Sequence, residues 1–565
     1  MLEGLMQNDY PLTVQHMLSR MRTVYADREV VTLEDPAALP GGGVSRATFG
    51  EIGDRVDRLA RALDTLGLSE GDRVGTFAWN NQRHFELYMA VPCAGYVLHT
   101  LNIRLFAEQT VFIVDNAEDQ VIFVDDSLVP LLAPLADQMP NVRHFIVMGD
   151  GPADGLPNVL RYEELLEQAG PGPYDWPEID ERSAASLCYT SGTTGNPKGV
   201  LYSHRSVSLH ATSSCMADAG GISSKDRLLP IVPMFHVNAW GTPFAAALTG
   251  ASLIMPSRFL QAEPLAKLIE AERPTTVYGV PTVMNDLLRY ADEHRPDLSS
   301  VERGLCGGSA VPVGLMRGFQ ERHGMRIFQG WGMTETSPVC SLALPPSEVE
   351  EGSDEYWRLR AGQGRVLPWV DMRIASDEGI EPWDGESVGE VQVRGPWIAS
   401  RYFGASDEEN DEKFDGEWLR TGDIGIMDPR GFVQLTDRAK DLIKSGGEWI
   451  SSVELENAIM EHELVLEAAV IAKPDERWSE RPLACVVLVE GATLTGDDVR
   501  AHLEPIVAKW WLPEEVVFID EVPKTSVGKF DKKVLRRRYA EDAKEREGDQ
   551  VDHEQYQEES EDFPA

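Results

Sequence analysis

The chain has 565 residues, of which 42% are hydrophobic and 8% aromatic, so it can bury large cores and is expected to divide into at least two domains. Its 93 acidic and 52 basic residues give a net charge of −41, which argues against a nucleic-acid partner because such binding needs a basic footprint. No apolar run is long enough to span a membrane and the N-terminus is too polar for a signal peptide, so the sequence predicts a cytoplasmic protein without an integral membrane segment.

The acidic residues are spread along the whole chain, as in "ASDEENDEKFDGE" at 405–417. This spread favours a carboxylate-coated, halophilic surface on which salt screens the self-repulsion; the alternative is an ordinary acidic cytosolic protein. The salt-adapted interpretation predicts that the protein unfolds when the salt concentration falls well below the molar range. A melting curve in dilute buffer checks this, and full stability there would contradict it.

From about residue 50 to 330, helical patterns alternate with short apolar runs. "DRVDRLARALDTLG" has its apolar residues at helical spacing, and "QVIFVDD", "RHFIVMGD", "TTVYGVP" and "RGLCGGS" are typical of buried strands that end in turn residues. The alternation predicts an α/β fold: a large multi-layer N-terminal domain with parallel-type sheets and functional loops at the carboxyl ends of strands. The six cysteines have no C-x-x-C or zinc-like spacing, so reduced thiols are expected.

From about residue 345 to 436 the helical patterns thin out, and "GEVQVRGP" and "GFVQLTD" indicate antiparallel strands of a small β-barrel-like subdomain. After a break at Gly446 and Gly447, Ser451 or Ser452 is expected to cap a helix. Strand "EAAVIA", strand "LACVVLVE", helix "GDDVRAHLEPIVA" and strand "EEVVFID" then predict a small α+β C-terminal domain. Residues 541–565 hold eleven carboxylates and two basic groups, which predicts a disordered acidic tail.

The stretch "YTSGTTGNPKGV" at 189–200 combines hydroxyl side chains, glycines and one lysine directly after the apolar run "AASLC". It fails the P-loop pattern, which needs glycine, lysine and Ser/Thr in succession, because Pro197 precedes Lys198 and a glycine follows it. Lys198 is the first of only 13 lysines, against 39 arginines, and its compact ammonium suits a phosphate. The stretch predicts a polyphosphate-binding loop; the alternative is a Ser/Gly-rich surface turn.

A second stretch, "QGWGMTETSP" at 329–338, follows the predicted strand "MRIF". Its glycines allow a flat ring to approach the backbone, and Trp331 offers an aromatic face. Thr334 can donate a hydrogen bond to a phosphate, and Glu335 can supply a hard oxygen ligand for Mg²⁺. Taken alone, the stretch is also compatible with an ordinary turn.

Five motifs occur in an order that resembles the adenylate-forming enzymes, a superfamily of acyl-CoA synthetases, luciferases and peptide-synthetase adenylation domains. They are "YTSGTTGNPKGV", "QGWGMTETSP", "RTGDIG", "DRAKDLIKSGGEWISS" and "PKTSVGKFDKKVLR". Together they span roughly 185 to 540 and are jointly very specific, whereas residues 1–180 match in general pattern only. "LYSHRS", "VPMFHVNAWG" and "YGVPTV" are most similar to medium- and long-chain fatty acyl-CoA synthetases.

The resemblance implies a two-step reaction with ATP, Mg²⁺ and CoA. A carboxylic acid and ATP give acyl-adenylate and pyrophosphate, and the thiol of CoA then displaces AMP, while cations stabilise the charge that develops on the phosphates. It also implies a domain at 1–436, a hinge at 437–442, a mobile lid domain at 443–540 and the tail at 541–565. Because related long-chain enzymes are homodimers, a homodimer is expected.

Carried over by position, the resemblance assigns the loop from Thr190 to Lys198 to the β- and γ-phosphates, Thr190 and Glu335 to Mg²⁺, and Thr334 to the α-phosphate. Asp423 is assigned to the ribose hydroxyls, with a capping or turn aspartate as the alternative. The family more often has tyrosine where Trp331 stands, so the stacking face is kept and the phenol is lost. The full set of implied nucleotide contacts is Thr190, Ser191, Gly192, Thr193, Thr194, Gly195, Lys198, Gly308, Gln329, Gly330, Trp331, Thr334, Asp423, Arg438, Lys440, Lys444 and Trp449.

The resemblance also assigns the remaining catalytic and CoA-binding residues. Lys529 matches the lysine that reaches the acid's carboxylate and the α-phosphate during adenylation; the alternative is a solvated surface lysine. The implied catalytic set is Lys529, Lys198, Glu335 and Thr334, and the implied CoA-binding set is Lys444, Gly446 and Gly447.

The acyl pocket is assigned to His236, Trp240 and Gly307. Amino-acid-activating relatives have an aspartate where Phe235 and His236 stand, and "PMFHVNAWG" contains no carboxylate that could pair with an amine. A plain carboxylic acid is therefore expected, with Trp240 at the entrance of a tunnel for its chain. Two alternatives stay open: Trp240 as a core tryptophan, and His236 as a buried histidine bonded to a backbone carbonyl.

The sequence thus predicts a medium- or long-chain fatty acyl-CoA synthetase. One alternative is a ligase for aromatic or short and branched acids. Another is a non-catalytic nucleotide-binding sensor on the same scaffold, which the presence of Lys198, Glu335, Asp423 and Lys529 opposes.

Overall fold

A computed structural model describes the chain except for residues 1, 3, 8, 191–195, 439–440, 446–447, 476, 490, 525–529 and 541–565. The side chains of residues 437, 438, 448 and 449 are likewise not described. The predicted acidic tail therefore lies outside the described residues.

Helices are distributed along most of the described chain, and they are sparse between residues 345 and 436, as predicted. In chain order the right-handed helices are α1 Val14–Val24, α2 Phe49–Asp64, α3 Gln82–Cys93, α4 Ala107–Ala117, α5 Val129–Leu132, α6 Tyr162–Ala169, α7 His204–Ser214, α8 Thr242–Thr249, α9 Ala262–Glu272, α10 Pro281–His294, α11 Val313–His323, α12 Asp354–Ala361, α13 Asp407–Lys413, α14 Ser452–Met460, α15 Gly496–Leu503 and α16 Lys532–Tyr539.

The strands form three sheets within the described residues. They are β1 Glu29–Leu33, β2 Val44–Thr48, β3 Arg73–Phe77, β4 Val97–Thr100, β5 Val121–Asp125, β6 His144–Met148, β7 Val159–Arg161, β8 Ala184–Tyr189, β9 Gly199–Ser203, β10 Arg227–Pro230, β11 Ser252–Met255, β12 Thr276–Gly279, β13 Arg303–Gly307, β14 Arg326–Gly332, β15 Val339–Leu342, β16 Gly364–Val366, β17 Asp371–Ser376, β18 Gly379–Glu381, β19 Gly389–Arg394, β20 Phe414–Asp415, β21 Trp418–Met427, β22 Phe432–Arg438, β23 Ile443–Ser445, β24 Glu448–Ile450, β25 Val465–Asp475, β26 Ser479–Leu488 and β27 Glu515–Phe518.

The described chain forms two compact units. The first comprises residues 1–387, 392–421 and 427–434, and the second comprises residues 388–391, 422–426 and 435 onward. The predicted domain bounds and the hinge at 437–442 remain predictions, and Ala439 and Lys440 of that hinge lie outside the described residues.

One sheet of the first unit has, among the described residues, seven strands in the order β7-β6-β5-β3-β4-β8-β9. Its strands are parallel except for β9, which runs antiparallel to β8 with Val200 opposite Cys188. Residues 190–198, the predicted phosphate loop, therefore connect two paired strands at one edge of this sheet.

The other large sheet is built around the parallel strands β1, β11, β10, β12, β13 and β14. On the far side of β14 the pairing becomes antiparallel through β15, β16 and the start of β22. Because β13 and β14 pair in parallel with Gly307 opposite Gly330, the residues that follow these two strands meet at the same edge.

Most predicted elements of the first unit are confirmed. Helix α2 covers the amphipathic pattern and begins with a capping box formed by Thr48 and Glu51. The four apolar runs predicted as strands are β5, β6, β12 and β13, which are buried along almost their full length. One bound differs: β14 continues beyond "MRIF" to Gly332, so the first half of "QGWGMTETSP" is strand and not loop.

The second unit has the predicted α+β composition. Ser451 caps α14 by accepting a hydrogen bond from the Glu454 N–H at 3.1 Å, and β25 and β26 pair antiparallel while β27 joins β26 in parallel. The predicted helix at "GDDVRAHLEPIVA" is shorter than expected, since α15 ends at Leu503. Pro505 follows closely, and a proline removes a backbone donor and clashes with the preceding turn.

Candidate active site

The ends of the predicted phosphate loop are held together by Thr190 and Lys198. The Thr190 N–H donates to the Lys198 carbonyl at 2.9 Å, and the Lys198 N–H donates to Thr190 Oγ1 at 3.0 Å. Ser191, Gly192, Thr193, Thr194 and Gly195 lie outside the described residues. The two hydrogen bonds join the two ends of the segment and bring Thr190 beside the lysine of the motif.

The ammonium group of Lys198 has two neighbours on one segment of the first unit. Its Nζ lies 3.5 Å from Glu409 Oε1 and 5.2 Å from the centroid of the Tyr402 ring. The pKa of Glu409 is lowered by the backbone N–H of Ser406, with which it forms a capping box, and further by Lys198. Both members of the ion pair are substantially exposed, so a phosphate could replace Glu409 at little cost.

Glu335 is a buried carboxylate, with 4% of its surface exposed, on the single 3₁₀ turn Thr334–Thr336. Its side chain accepts a hydrogen bond from the Tyr402 hydroxyl. Its carbonyl accepts from the Ala399 N–H at 2.8 Å, and the neighbouring Thr334 carbonyl accepts from the Tyr202 hydroxyl at 2.6 Å. The turn is thus fixed from two sides, and Thr334 is itself buried.

Tyr402 contacts both Lys198 and Glu335. The sequence did not predict a role for this tyrosine. Burial raises the pKa of its phenol, and the Glu335 carboxylate raises it further, so the hydroxyl keeps its proton and acts as a donor. The adjacent Phe403 N–H donates to the Gly199 carbonyl at 2.8 Å, one residue after Lys198. Through this contact between distant segments, Lys198 and Glu335 both neighbour one tyrosine, Lys198 at its ring and Glu335 at its hydroxyl.

The predicted adenine contacts lie at the ends of β13 and β14. Gly308 follows β13 with a φ of +87°, a backbone conformation that glycine adopts without strain. The Gln329 side chain is almost fully buried; its Oε1 accepts from the Val311 N–H at 2.5 Å and its Nε2 donates to the Gly362 carbonyl at 2.9 Å. The amide of Gln329 therefore links β14 to the backbone at Val311 and Gly362, while Trp331 is buried near the end of β14.

The three predicted acyl-pocket residues belong to the first unit, and two of them are in close proximity. A Cβ atom built on Gly307 would lie 3.5 Å from Trp240 Cη2 and 2.6 Å from the Gly330 carbonyl oxygen. Trp240 and His236 are half-buried, unlike the core tryptophan Trp397. The half-burial of Trp240 argues against the core alternative.

The predicted residues of the second unit are only partly described. Asp423 lies inside strand β21 with 5% of its surface exposed, so it is not a helix cap. Lys444 is exposed on β23, and its N–H donates to Glu480 Oε2 at 2.7 Å. For Arg438 and Trp449 only the strand positions are described, and Lys440, Gly446, Gly447 and Lys529 lie outside the described residues.

The donor set fits a magnesium ion that is held mainly by a substrate. Mg²⁺ prefers oxygen ligands and is commonly bound by one or two carboxylates together with substrate phosphates. Glu335 offers one buried carboxylate. Within the described residues no group of three or more His, Cys, Asp or Glu side chains is arranged as a metal cage. All six cysteines are free thiols.

Comparison with known families gives two matches. Residues 23–403 match the family described as AMP-binding enzyme, and residues 454–529 match the AMP-binding enzyme C-terminal domain. These ranges contain the first two of the five motifs and the first half of the last one, whereas "RTGDIG" at 420–425 and "DRAKDLIKSGGEWISS" at 437–452 fall between them. No helix in the described part of the chain has the length and apolar character of a membrane span.

Three curated relatives cover almost the whole chain at the same identity. A 3-methylmercaptopropionyl-CoA ligase of Ruegeria lacuscaerulensis is 42% identical, covering 93% of this chain and 97% of its own. A medium-chain-fatty-acid–CoA ligase of Ectopseudomonas oleovorans is 42% identical, and the match covers 95% of this chain and 98% of the relative. A long-chain-fatty-acid–CoA ligase of Thermus thermophilus is 42% identical, and the match covers 95% of this chain and 99% of the relative.

The fold is also found in solved structures. The crystal structure of the anthranilate CoA ligase AuaEII in complex with anthranoyl-AMP superimposes with a TM-score of 0.83 at 25% identity. The match covers 94% of this chain and 98% of that one, so the large α/β domain and the smaller C-terminal domain are both part of the shared fold.

Proposed function

The chain belongs to the AMP-binding enzyme family and is an acyl-CoA ligase, and from this premise we propose that its acid is a medium- or long-chain fatty acid. The single observation that carries the proposed mechanism is the arrangement of Lys198, Tyr402 and Glu335 in the first unit. The nucleotide-binding sensor is disfavoured, because the relatives named above are ligases.

In the first half-reaction the acid's carboxylate attacks the α-phosphorus of ATP, an acyl-adenylate forms and pyrophosphate leaves. Lys198 exchanges Glu409 for the outgoing phosphates and offsets their charge. Glu335 and Thr190 would hold Mg²⁺, which would neutralise phosphate charge when bound. Tyr402 keeps the Glu335 carboxylate oriented by hydrogen bonding, and Thr334 donates to the α-phosphate.

In the second half-reaction the thiol of CoA attacks the acyl carbon, and AMP leaves with the bridging oxygen. Asp423 binds the ribose hydroxyls as a buried carboxylate that can accept two hydrogen bonds. Lys529 serves the first half-reaction only, while Lys444 and the two glycines Gly446 and Gly447 serve the pantetheine arm of CoA. The assignments of Lys529, Lys444, Gly446 and Gly447 rest on their positions in the matching motifs.

The choice of a fatty acid is supported by the two fatty-acid–CoA ligases among the relatives, and the choice of an acid without an amine is supported by the segment that carries His236 and Trp240. Phe235 is buried, and the segment from Ile231 to Trp240 contains no carboxylate. An amine would find no charged partner there. The sulphur-containing and aromatic acids named for some relatives make a ligase for short or aromatic acids the alternative.

The test is AMP release with ATP, Mg²⁺ and CoA in high salt, using acids from acetate to palmitate and benzoate. The proposal predicts a CoA-dependent optimum among the medium- or long-chain acids. An optimum at benzoate or at a short acid would contradict the fatty-acid assignment and leave the ligase mechanism standing. Parallel reactions without CoA separate adenylate formation from thiolysis.

Replacing Trp240 with alanine is expected to shift the optimum toward longer acids, because the ring lies against Gly307 where it limits the pocket. The expected change in relative kcat/KM is about tenfold or more, the size of an effect from one or two methylenes in an apolar pocket. The measurement is kcat/KM for each acid in the series. An unchanged profile would count against a pocket role for Trp240.

A further inference from the structure

The segment that presents Trp240 has an unusual backbone. Four consecutive non-glycine residues, 237–240, have φ values of +46°, +52°, +48° and +56°, and Gly241 follows with +76°. L-residues adopt this left-handed region as single residues, because the Cβ atom comes too close to the following carbonyl oxygen. A left-handed turn of this length persists only where the surrounding structure holds it.

Asn238 is the residue in this turn that both tolerates the conformation and anchors it. Asparagine is among the residues most often found at positive φ. Its side chain is buried, with the Oδ1 atom 3.2 Å from the Ser186 hydroxyl and 3.5 Å from the Cys188 thiol, both of which can donate to it.

The segment before the turn is fixed independently, by Asn80. The Asn80 amide donates to the carbonyls of Pro230 at 2.7 Å and Val232 at 2.9 Å, and its Oδ1 accepts from the Met234 N–H at 2.6 Å. The Tyr88 hydroxyl donates to the Met234 carbonyl at 2.5 Å and lies 3.2 Å from Asn238 Oδ1. The chain therefore enters the turn at a defined position.

The turn is also packed closely at its exit. A Cβ atom on Gly241 would lie 2.8 Å from His210 Nδ1 on helix α7, so the chain leaves the turn against that helix with no room for a side chain. Between this fixed exit and the fixed entry, the direction of the Trp240 side chain depends on the turn keeping its left-handed form.

We propose that Asn238 is a specificity-determining positioning residue: through its bonds to strand β8 it holds the left-handed turn that sets Trp240 against Gly307, and thereby limits the length of the acid. This inference rests on the proposed fatty-acid function. Asn238 does not touch the substrate; it acts through Trp240. Its partners Ser186 and Cys188 lie on the strand that leads into the phosphate loop, so the same contact fixes the turn relative to Thr190.

The experiment compares Asn238→Ala, Asn238→Gly and Ser186→Ala by the ratio of kcat/KM for the preferred acid to that for an acid four carbons longer. A ratio within one preparation does not depend on the fraction of folded enzyme, so a destabilised variant remains informative. Glycine adopts positive φ freely but lacks the anchoring oxygen, whereas alanine lacks both properties. Ser186→Ala removes one donor and leaves Asn238 in place.

We expect Asn238→Ala and Asn238→Gly each to lower the ratio by about tenfold, and Ser186→Ala to lower it by a smaller factor in the same direction. Wild-type ratios in both Asn238 variants, with kcat/KM reduced equally for all acids, would overturn the inference and leave Asn238 a structural residue. A wild-type ratio in Asn238→Gly alone would also overturn it, since backbone freedom and not the side-chain anchor would then suffice. An optimum at benzoate in the unaltered enzyme would contradict the proposed function instead, and it is read from the wild type alone.

Discussion

Replacing Glu335 with glutamine is expected to lower kcat/KM for adenylate formation by about 10²–10³-fold, the usual effect of losing one preorganised group that faces the reacting charge. Glutamine keeps the size of the side chain and can still accept from Tyr402, but it removes the negative charge that Mg²⁺ requires. The Mg²⁺ concentration for half-maximal rate should rise together with the loss in rate. Pyrophosphate release at several Mg²⁺ concentrations measures both quantities.

Tyr402→Phe is the matched control for that prediction. It removes only the phenol that donates to Glu335, so the carboxylate remains and loses one fixed hydrogen bond. A loss of about tenfold is expected, which corresponds to roughly 1.4 kcal/mol for a hydrogen bond to a charged group. If Glu335→Gln retained wild-type activity and Mg²⁺ dependence, the assignment of Glu335 to the metal would be wrong.

Lys529→Ala is expected to reduce adenylate formation by about 10²–10³-fold while the thiolysis of added acyl-adenylate stays within about twofold of the wild type. The reason is that the proposed role of Lys529 is to offset charge on the carboxylate and α-phosphate before pyrophosphate leaves. Two assays check this: pyrophosphate release from ATP and acid, and acyl-CoA formation from synthetic acyl-adenylate and CoA.

Lys524→Ala provides the control for a nearby lysine. Lys524 forms an ion pair with Glu467 at 2.7 Å in the second unit, and a partly exposed pair of this kind contributes little. Both half-reactions should stay near wild-type rates in this variant. Equal losses in both half-reactions for Lys529→Ala would argue that the residue supports the fold or both steps. The proposal that Lys529 serves only the first half-reaction would then be wrong.

Much of the fold was predictable because local patterns dictate it. The amphipathic spacing of α2 and the apolar runs of β5, β6, β12 and β13 are signals contained within single segments. The bounds were less predictable: β14 runs on to Gly332, where a Cβ atom would lie 1.7 Å from the Pro338 carbonyl oxygen. That close backbone approach, and not a local propensity, explains the glycine at this position.

The candidate site was predictable where one motif carries the chemistry and not where two distant segments meet. Lys198 and Glu335 stand in recognisable motifs, but Tyr402 reaches Glu335 across 67 positions of sequence, and nothing in "SRYFG" signals that contact. Asn80 and Met234 are separated by 154 positions. Asn238 did carry a signal, since asparagine favours positive φ. In "VPMFHVNAWG", however, one asparagine does not by itself indicate four consecutive residues at positive φ.

The central claim is that the acid's carboxylate attacks the α-phosphorus of ATP and that CoA then displaces AMP. It is tested most directly by supplying a medium-chain fatty acid labelled with ¹⁸O in its carboxylate, together with ATP, Mg²⁺ and CoA, and analysing the products by mass spectrometry. One labelled oxygen in AMP is predicted, because the bridging oxygen comes from the acid and stays on the α-phosphate. Unlabelled AMP, or label in inorganic phosphate, would contradict the account.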